Sequence, residues 1–210
     1  MKESLIEKKA DETPATSSRS LAHKENREFI GYALSALALA VIIRLFIASP
    51  WLVSGPSMMP NFQDMNYLIV DRLSYRLGTP QRGDVIVFSL PQMPSRDLIK
   101  RVIGLPGETV EIKGNAVTIK NAAHPQGFTL SEPYIAAEDV GGPDGITVTL
   151  NAHEYYVLGD NRHVSADSRT WGVLPDKDII GKVFVRLYPF NEISMLPAQS
   201  RYTQDVVIGN

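Results

Sequence analysis

Residues 82–120 read RGDVIVFSLPQMPSRDLIKRVIGLPGETVEIKGNAVTIK. Short apolar, β-branched runs alternate here with turn formers, which is the texture of strands and not of helices. Residues 85–90, 98–103, 109–112 and 116–120 each have the length of a strand, and Lys113-Gly114-Asn115 supplies a hairpin turn between the last two. The same texture extends outward to 67–70 on one side and to 146–150, 155–158 and 182–188 on the other. Residues 122–145 are richer in Pro and Gly and read as an excursion from the sheet. No strong helical period appears after residue 53, and strands this short need a shared core. The expected fold over 54–210 is therefore mainly β, with coiled or barrel-like sheets.

The stretch before these strands differs in kind. Residues 29–53 read FIGYALSALALAVIIRLFIASPWLV, with Arg44 as the one charge. A bilayer core needs about 20 mostly apolar helical residues, so a single transmembrane helix over 29–53 is expected. Trp51 is placed as an interfacial anchor and Pro50 marks the helix exit. The run is too long for a cleaved signal and too uniformly apolar for an ordinary core helix. Residues 1–28 mix basic and acidic side chains without apolar periodicity and read as a polar tail. Arg19, Lys24 and Arg27 precede the apolar run, whereas Arg72 is the first basic residue after it. That asymmetry puts the tail in the cytoplasm and the β domain on the far side.

Composition narrows the chemistry. The chain has 210 residues, 21% charged, with a net charge of −2. Binding nucleic acid through bulk charge is not expected. There is no cysteine, which removes thiol nucleophiles, disulfides and cysteine-ligated zinc. No cluster of His, Asp and Glu has metal-ligand spacing, so neither a metal nor a cofactor is expected.

Directly after the apolar run comes Val53-Ser54-Gly55-Pro56-Ser57-Met58-Met59-Pro60-Asn61-Phe62. Gly55, Pro56 and Pro60 disfavour regular structure, so Ser57 is expected on a short, stiff connection at the mouth of the membrane segment. A serine hydroxyl needs a base. In the strand at 98–103, alternation sets Lys100 on one face with Leu98 and Val102. If that face is buried, the ammonium loses hydration and its pKa falls, leaving an amine able to accept a proton near neutrality. Arg101, on the opposite face, stays charged and is the poorer candidate. Residues 159–172, GDNRHVSADSRTWG, read as a loop held by side-chain hydrogen bonds and charge pairs. His153 and His163 lie near Asp160 and Asp167, so residue types alone leave a Ser-His-Asp arrangement open.

Four ordered segments, 54–60, 82–88, 100–108 and 159–172, resemble the type I signal peptidases, which are membrane-anchored Ser/Lys endopeptidases. The resemblance implies Ser57 as the acylating nucleophile, Lys100 as general base and the backbone N–H of Ser57 as an oxyanion donor. It further implies that Ser165 hydrogen-bonds the lysine, that Asp167 and Arg169 form a supporting ion pair, and that Met58 lines the substrate surface. The sequence departs from the family at Gly55, where some members carry a serine hydroxyl, at Asn61 in place of Thr or Ala, and at His163-Val164 in place of Asp-Asn. The implied substrates are secretory preproteins with small residues before the cleavage point. The implied location is the cell membrane, spanned once, with the catalytic domain outside the cytoplasm.

Overall fold

The structure, a computed structural model, describes residues 17–42, 44, 48–139, 141–143, 145–198 and 202. The chain divides into two units, Met1–Ile43 and Arg44–Asn210. The first contributes helix α1, Ser17–Ile42. Residues 17–28, expected as a polar tail, are thus part of a helix, while residues 1–16 lie outside the described residues. Among the described residues no helix is long and apolar enough to cross a membrane.

The expected helix over 29–53 is corrected at its far end. Ala48–Leu52 is a strand, β1, paired antiparallel with β2 (Tyr67–Asp71) from Ala48↔Asp71 to Leu52↔Tyr67. β1 ends the strand order of its sheet, and Pro50 is tolerated because an edge strand can do without one ladder donor.

The second unit is mainly β, as expected. After β2 come β3 (Val85–Leu90), β4 (Met93–Gly104), β5 (Thr109–Lys113), β6 (Ala116–Lys120), β7 (Phe128–Thr129) and β8 (Ile146–Thr149). β9 (Glu154–Leu158), β10 (Leu174–Pro175), β11 (Ile179–Tyr188) and β12 (Ser194–Met195) complete the series. Two single-turn helices, α2 (Ser74–Leu77) and α3 (Ser168–Trp171), interrupt it. One sheet has the order β1-β2-β11-β3-β4-β9-β10, with β12 on β11, and the other β7-β6-β5-β8. All recorded pairings are antiparallel. The turn expected at Gly114-Asn115 closes the β5–β6 hairpin, in register at Lys113↔Ala116.

β3 explains how the large sheet is covered on both faces. Val85 and Val87 enter one apolar cluster with Val53, Met58, Phe62, Leu68 and Val70, while Ile86 and Phe88 enter another with Val102, Val157 and Leu174. Alternating side chains of one strand therefore feed two cores, and the serine loop roofs the first. A third cluster lies on the small sheet, around Ile103, Val110, Ile119 and Tyr156. β4 passes from one region to the next through Gly104, where a Cβ would lie 2.5 Å from Val110 Cγ2 and 2.9 Å from Tyr156 Cβ.

Candidate active site

The loop carrying Ser57 is pinned at both ends. Val53 N–H donates to Asn66 O at 2.9 Å, Met65 N–H donates to Val53 O at 3.0 Å, and Gly55 N–H donates to Asp64 Oδ1 at 2.9 Å. Met58 and Phe62 then drop into the core below, both fully buried. This corrects the placing of Met58 on the substrate surface: it packs beneath the loop and does not line the neighbouring cleft. The physical reason is that the turn needs an apolar anchor, and Met58 fills that place.

Lys100 stands across from the serine. Its Nζ donates to Ser57 Oγ at 2.7 Å and to Ile99 O at 2.7 Å. The residue is 2% exposed, and loss of hydration pushes the ammonium down to about 8. The carboxylates of Asp167 and Asp160 oppose that fall, and Arg96 adds to it. An amine with this pKa is a competent proton acceptor close to neutrality.

Arg101, expected to be a mere charged neighbour on the other face, is fully buried. Its Nε and Nη2 donate to Asp160 Oδ1 and Oδ2 at 2.7 and 2.6 Å, and Nη1 donates to Gly83 O and Ala198 O. The guanidinium also lies 4.0 Å from the centroid of the Tyr134 ring. Asn61 joins this centre to the serine loop, donating through Nδ2 to Asp160 Oδ2 at 2.9 Å and to Tyr134 O at 2.8 Å. The segment expected as an excursion from the sheet is therefore partly docked here through Tyr134. Arg162 extends the network to Glu132 at 2.9 Å from Nη1. Sequence reasoning missed Arg101 and Asp160 as a pair. The available signal was an Arg beside the base and an Asp at the head of the loop, too general to join residues so far apart.

Within 159–172, Asp167 is fully buried and serves three partners. It accepts from Gly159 N–H at 3.0 Å and caps α3 by accepting from Arg169 N–H at 3.2 Å. It is also held bidentately by Arg169 Nε and Nη2, each at 2.8 Å. Arg169 reaches on to Gly141 O and Arg162 O, both at 2.7 Å. Ser165 Oγ is buried and has no hydrogen-bond partner among the described residues, and so does not bond Lys100 here. Its place is nonetheless next to the reacting pair: a Cβ on Gly159 would lie 2.2 Å from Ser165 Oγ and 2.5 Å from Ser57 O. Asn161 N–H donates to that same Ser57 carbonyl at 3.1 Å.

The Ser57 N–H donates to no protein group among the described residues. Neither histidine takes part: His153 pairs with Asp176 at the surface, 2.7 Å, and His163 is exposed. Among the described residues no three His, Asp or Glu side chains gather as a metal site. Ser57 and Lys100 open into a cleft of about 100 Å³, walled by Trp51, Leu52 and Val53 on one side and by residues 97–99 on the other. The arrangement can activate an alcohol beside a small, mostly apolar recess.

The chain resembles known proteins over most of its length. Residues 26–188 match the family model described as signal peptidase, peptidase S26. A signal peptidase I of Leptolyngbya laminosa is 39% identical over 176 residues, covering 80% of this chain and 82% of the relative. Signal peptidase IB of Staphylococcus aureus is 32% identical over 180 residues, covering 80% and 93%. A solved signal peptidase I from Enterococcus faecalis V583 is 34% identical, with a TM-score of 0.42, covering 50% of this chain and 97% of that one.

Proposed function

This chain belongs to the peptidase S26 family of signal peptidases, and on that premise we propose that Ser57 and Lys100 are its nucleophile and general base. The protein is a serine peptidase that cleaves signal peptides. The observation that carries the residue assignment is the 2.7 Å contact between a buried amine and the Ser57 hydroxyl.

In the first half-reaction Ser57 Oγ attacks the scissile carbonyl while Lys100 Nζ accepts its proton. The carbonyl oxygen gains charge, and the uncommitted N–H of Ser57 is placed to donate to it. As the C–N bond breaks, the lysine returns the proton to the leaving amine, and an ester to Ser57 remains. Lys100 then takes a proton from water, which attacks the ester; the acyl C–O bond breaks, the lysine passes that proton to Ser57 Oγ, and the acid is freed. Asp167 and Arg169 support the loop that carries Gly159, and Ser165 packs against Gly159 beside the Ser57 carbonyl.

Secretory preproteins with small residues before the cut fit a recess of this size and polarity, which excludes larger side chains. The substrate lies extended along β4, whose ladder with β9 begins only at Arg101 and leaves residues 97–100 with an open edge. The apolar part of α1, from Phe29 onward, anchors the enzyme in the cell membrane, with the N-terminus in the cytoplasm and the β unit outside. Phe29, Tyr32, Leu34 and Leu37 are all exposed on α1, which supports a lipid partner for that helix.

The test is processing of a preprotein in membranes by the wild type, Ser57→Ala and Lys100→Ala. Both variants should lose cleavage by at least a thousandfold, on the order seen when an activated nucleophile or its base is removed. Full processing by either would reject the assignment.

A further inference from the structure

The cleft beside Ser57 combines apolar walls with Ser54, Ser57 and Lys100, and it holds one acidic residue. Asp97 lines it with Trp51, Leu52, Leu98 and Ile99, and apart from Lys100 it is the only ionisable side chain doing so among the described residues. Its carboxylate is oriented by the sheet. Asp97 and Ser89 are register partners across β3 and β4, and Ser89 Oγ donates to Asp97 Oδ1 at 2.8 Å. Asp97 Oδ2 accepts no protein hydrogen bond among the described residues. Arg96 precedes it on β4, shares by alternation the face of Leu98 and Lys100, and acts on the Lys100 charge, but is not among the residues lining the cleft.

We propose that Asp97 is a specificity-determining residue that favours a cationic side chain, and disfavours an anionic one, at the fourth substrate position before the cut. The inference rests on the substrate reading above. Strand residues rise about 3.3 Å each, so three steps from Lys100 to Asp97 span roughly 10 Å. An extended peptide laid along the open edge of β4 keeps the same step. With its reacting carbonyl at Ser57 and Lys100, its side chain three residues upstream reaches Asp97. The apolar side chains Trp51, Leu52, Leu98 and Ile99 around it strengthen the field of its carboxylate on whatever enters. Because Asp97 is also open to solvent, the selection is modest and sensitive to salt.

The experiment uses peptides identical except for Arg, Gln or Glu at the fourth position before the cut, with the same set at the second position as control. Buffer is held about one unit above the Lys100 pKa of about 8, so that the base adds little charge of its own. At low ionic strength the wild type should cleave the Arg peptide about fivefold better than the Glu peptide at the fourth position, as expected for an exposed charge pair. High salt should shrink the difference. Asp97→Asn should lose the discrimination between the Arg and Glu peptides, whatever its absolute rate, and Asp97→Lys should reverse it. Equal cleavage of Arg and Glu peptides by the wild type, or discrimination that survives Asp97→Asn, overturns the proposal. A binding series with Ser57→Ala needs no turnover: charge-selective affinity there supports Asp97 even if cleavage fails, in which case the peptidase assignment is what falls. Equal affinity for all three peptides counts against Asp97 alone.

Discussion

Asp160 grips Arg101 with both carboxylate oxygens, at 2.7 and 2.6 Å, one residue along β4 from the lysine that contacts Ser57. Both members are fully buried. A pair so placed is not a large net source of stability, because each charge has lost its water. Removing one partner, however, strands the other. Through Asn61, Asp160 is also tied to the serine loop, so the pair couples the two strands of chemistry-bearing backbone.

Arg101→Ala and Asp160→Ala are each expected to destabilise the β unit by about 3–5 kcal/mol. Urea unfolding of the purified protein measures this. The double replacement Arg101→Met with Asp160→Leu should cost much less than the sum of the two. A single substitution that costs under about 1 kcal/mol would mean that the surviving charge finds water or another partner.

Lys100 acts on stability with the opposite sign. Its native pKa of about 8 lies below its ordinary value of 10.5, so folding disfavours the proton. Below about pH 8 both states are protonated and the native state carries the whole penalty. The penalty fades as pH rises from about 8 toward 10.5, where only the unfolded chain still holds the proton. The shift corresponds to about 3 kcal/mol as an upper figure. Lys100→Met should therefore be inactive yet more stable than the wild type at neutral pH, by roughly 1–3 kcal/mol. That advantage should shrink in alkaline buffer. Thermal melts of both proteins across the range decide it; a variant less stable at every pH would contradict the account.

Gly159 is placed where only a hydrogen fits between Ser165 Oγ and Ser57 O. Gly159→Ala should displace the serine loop and lower kcat/KM about a hundredfold, the scale of an ångström-sized misplacement of a reacting group. Stability should fall as well, by about 1–3 kcal/mol, because Gly159 is buried and the added Cβ overpacks its surroundings. Adding Ser165→Gly removes two of the three clashing atoms, Oγ and Cβ, and should restore part of the activity. Kinetics of the three variants on one peptide test this, and an unimpaired Gly159→Ala enzyme would refute it.

How much of this could be read beforehand varied with the range of the interaction involved. β3, β5 and β6 were legible because strand period and turn chemistry are local: Gly114-Asn115 sits in the hairpin where the sequence calls for a turn. β1 was misread because Ala48–Leu52 continues the apolar run of 29–53, and Pro50 marks a helix end and an edge strand equally well. The two-residue strands β7, β10 and β12 are too short to carry a period at all. In the site, Ser57 and Lys100 were each suggested by local features, a stiff turn and an alternating strand. Their 2.7 Å contact joins residues 43 apart and depends on how the sheet curls. Arg101–Asp160 and Asn61–Tyr134 are longer still in sequence separation, and no pattern within one segment could pair them. The burial of Met58 is not legible in the sequence, because exposure is a tertiary property that a methionine's identity does not reveal.

The measurement that bears most directly on the central claim is an NMR titration of the Lys100 side chain in the intact protein. Its signal is identified by its absence in Lys100→Met. A midpoint near about 8 is predicted, because the amine is buried against Ser57. A midpoint at the ordinary lysine value of 10.5 would mean a hydrated ammonium, unfit to deprotonate the serine, and would contradict the account.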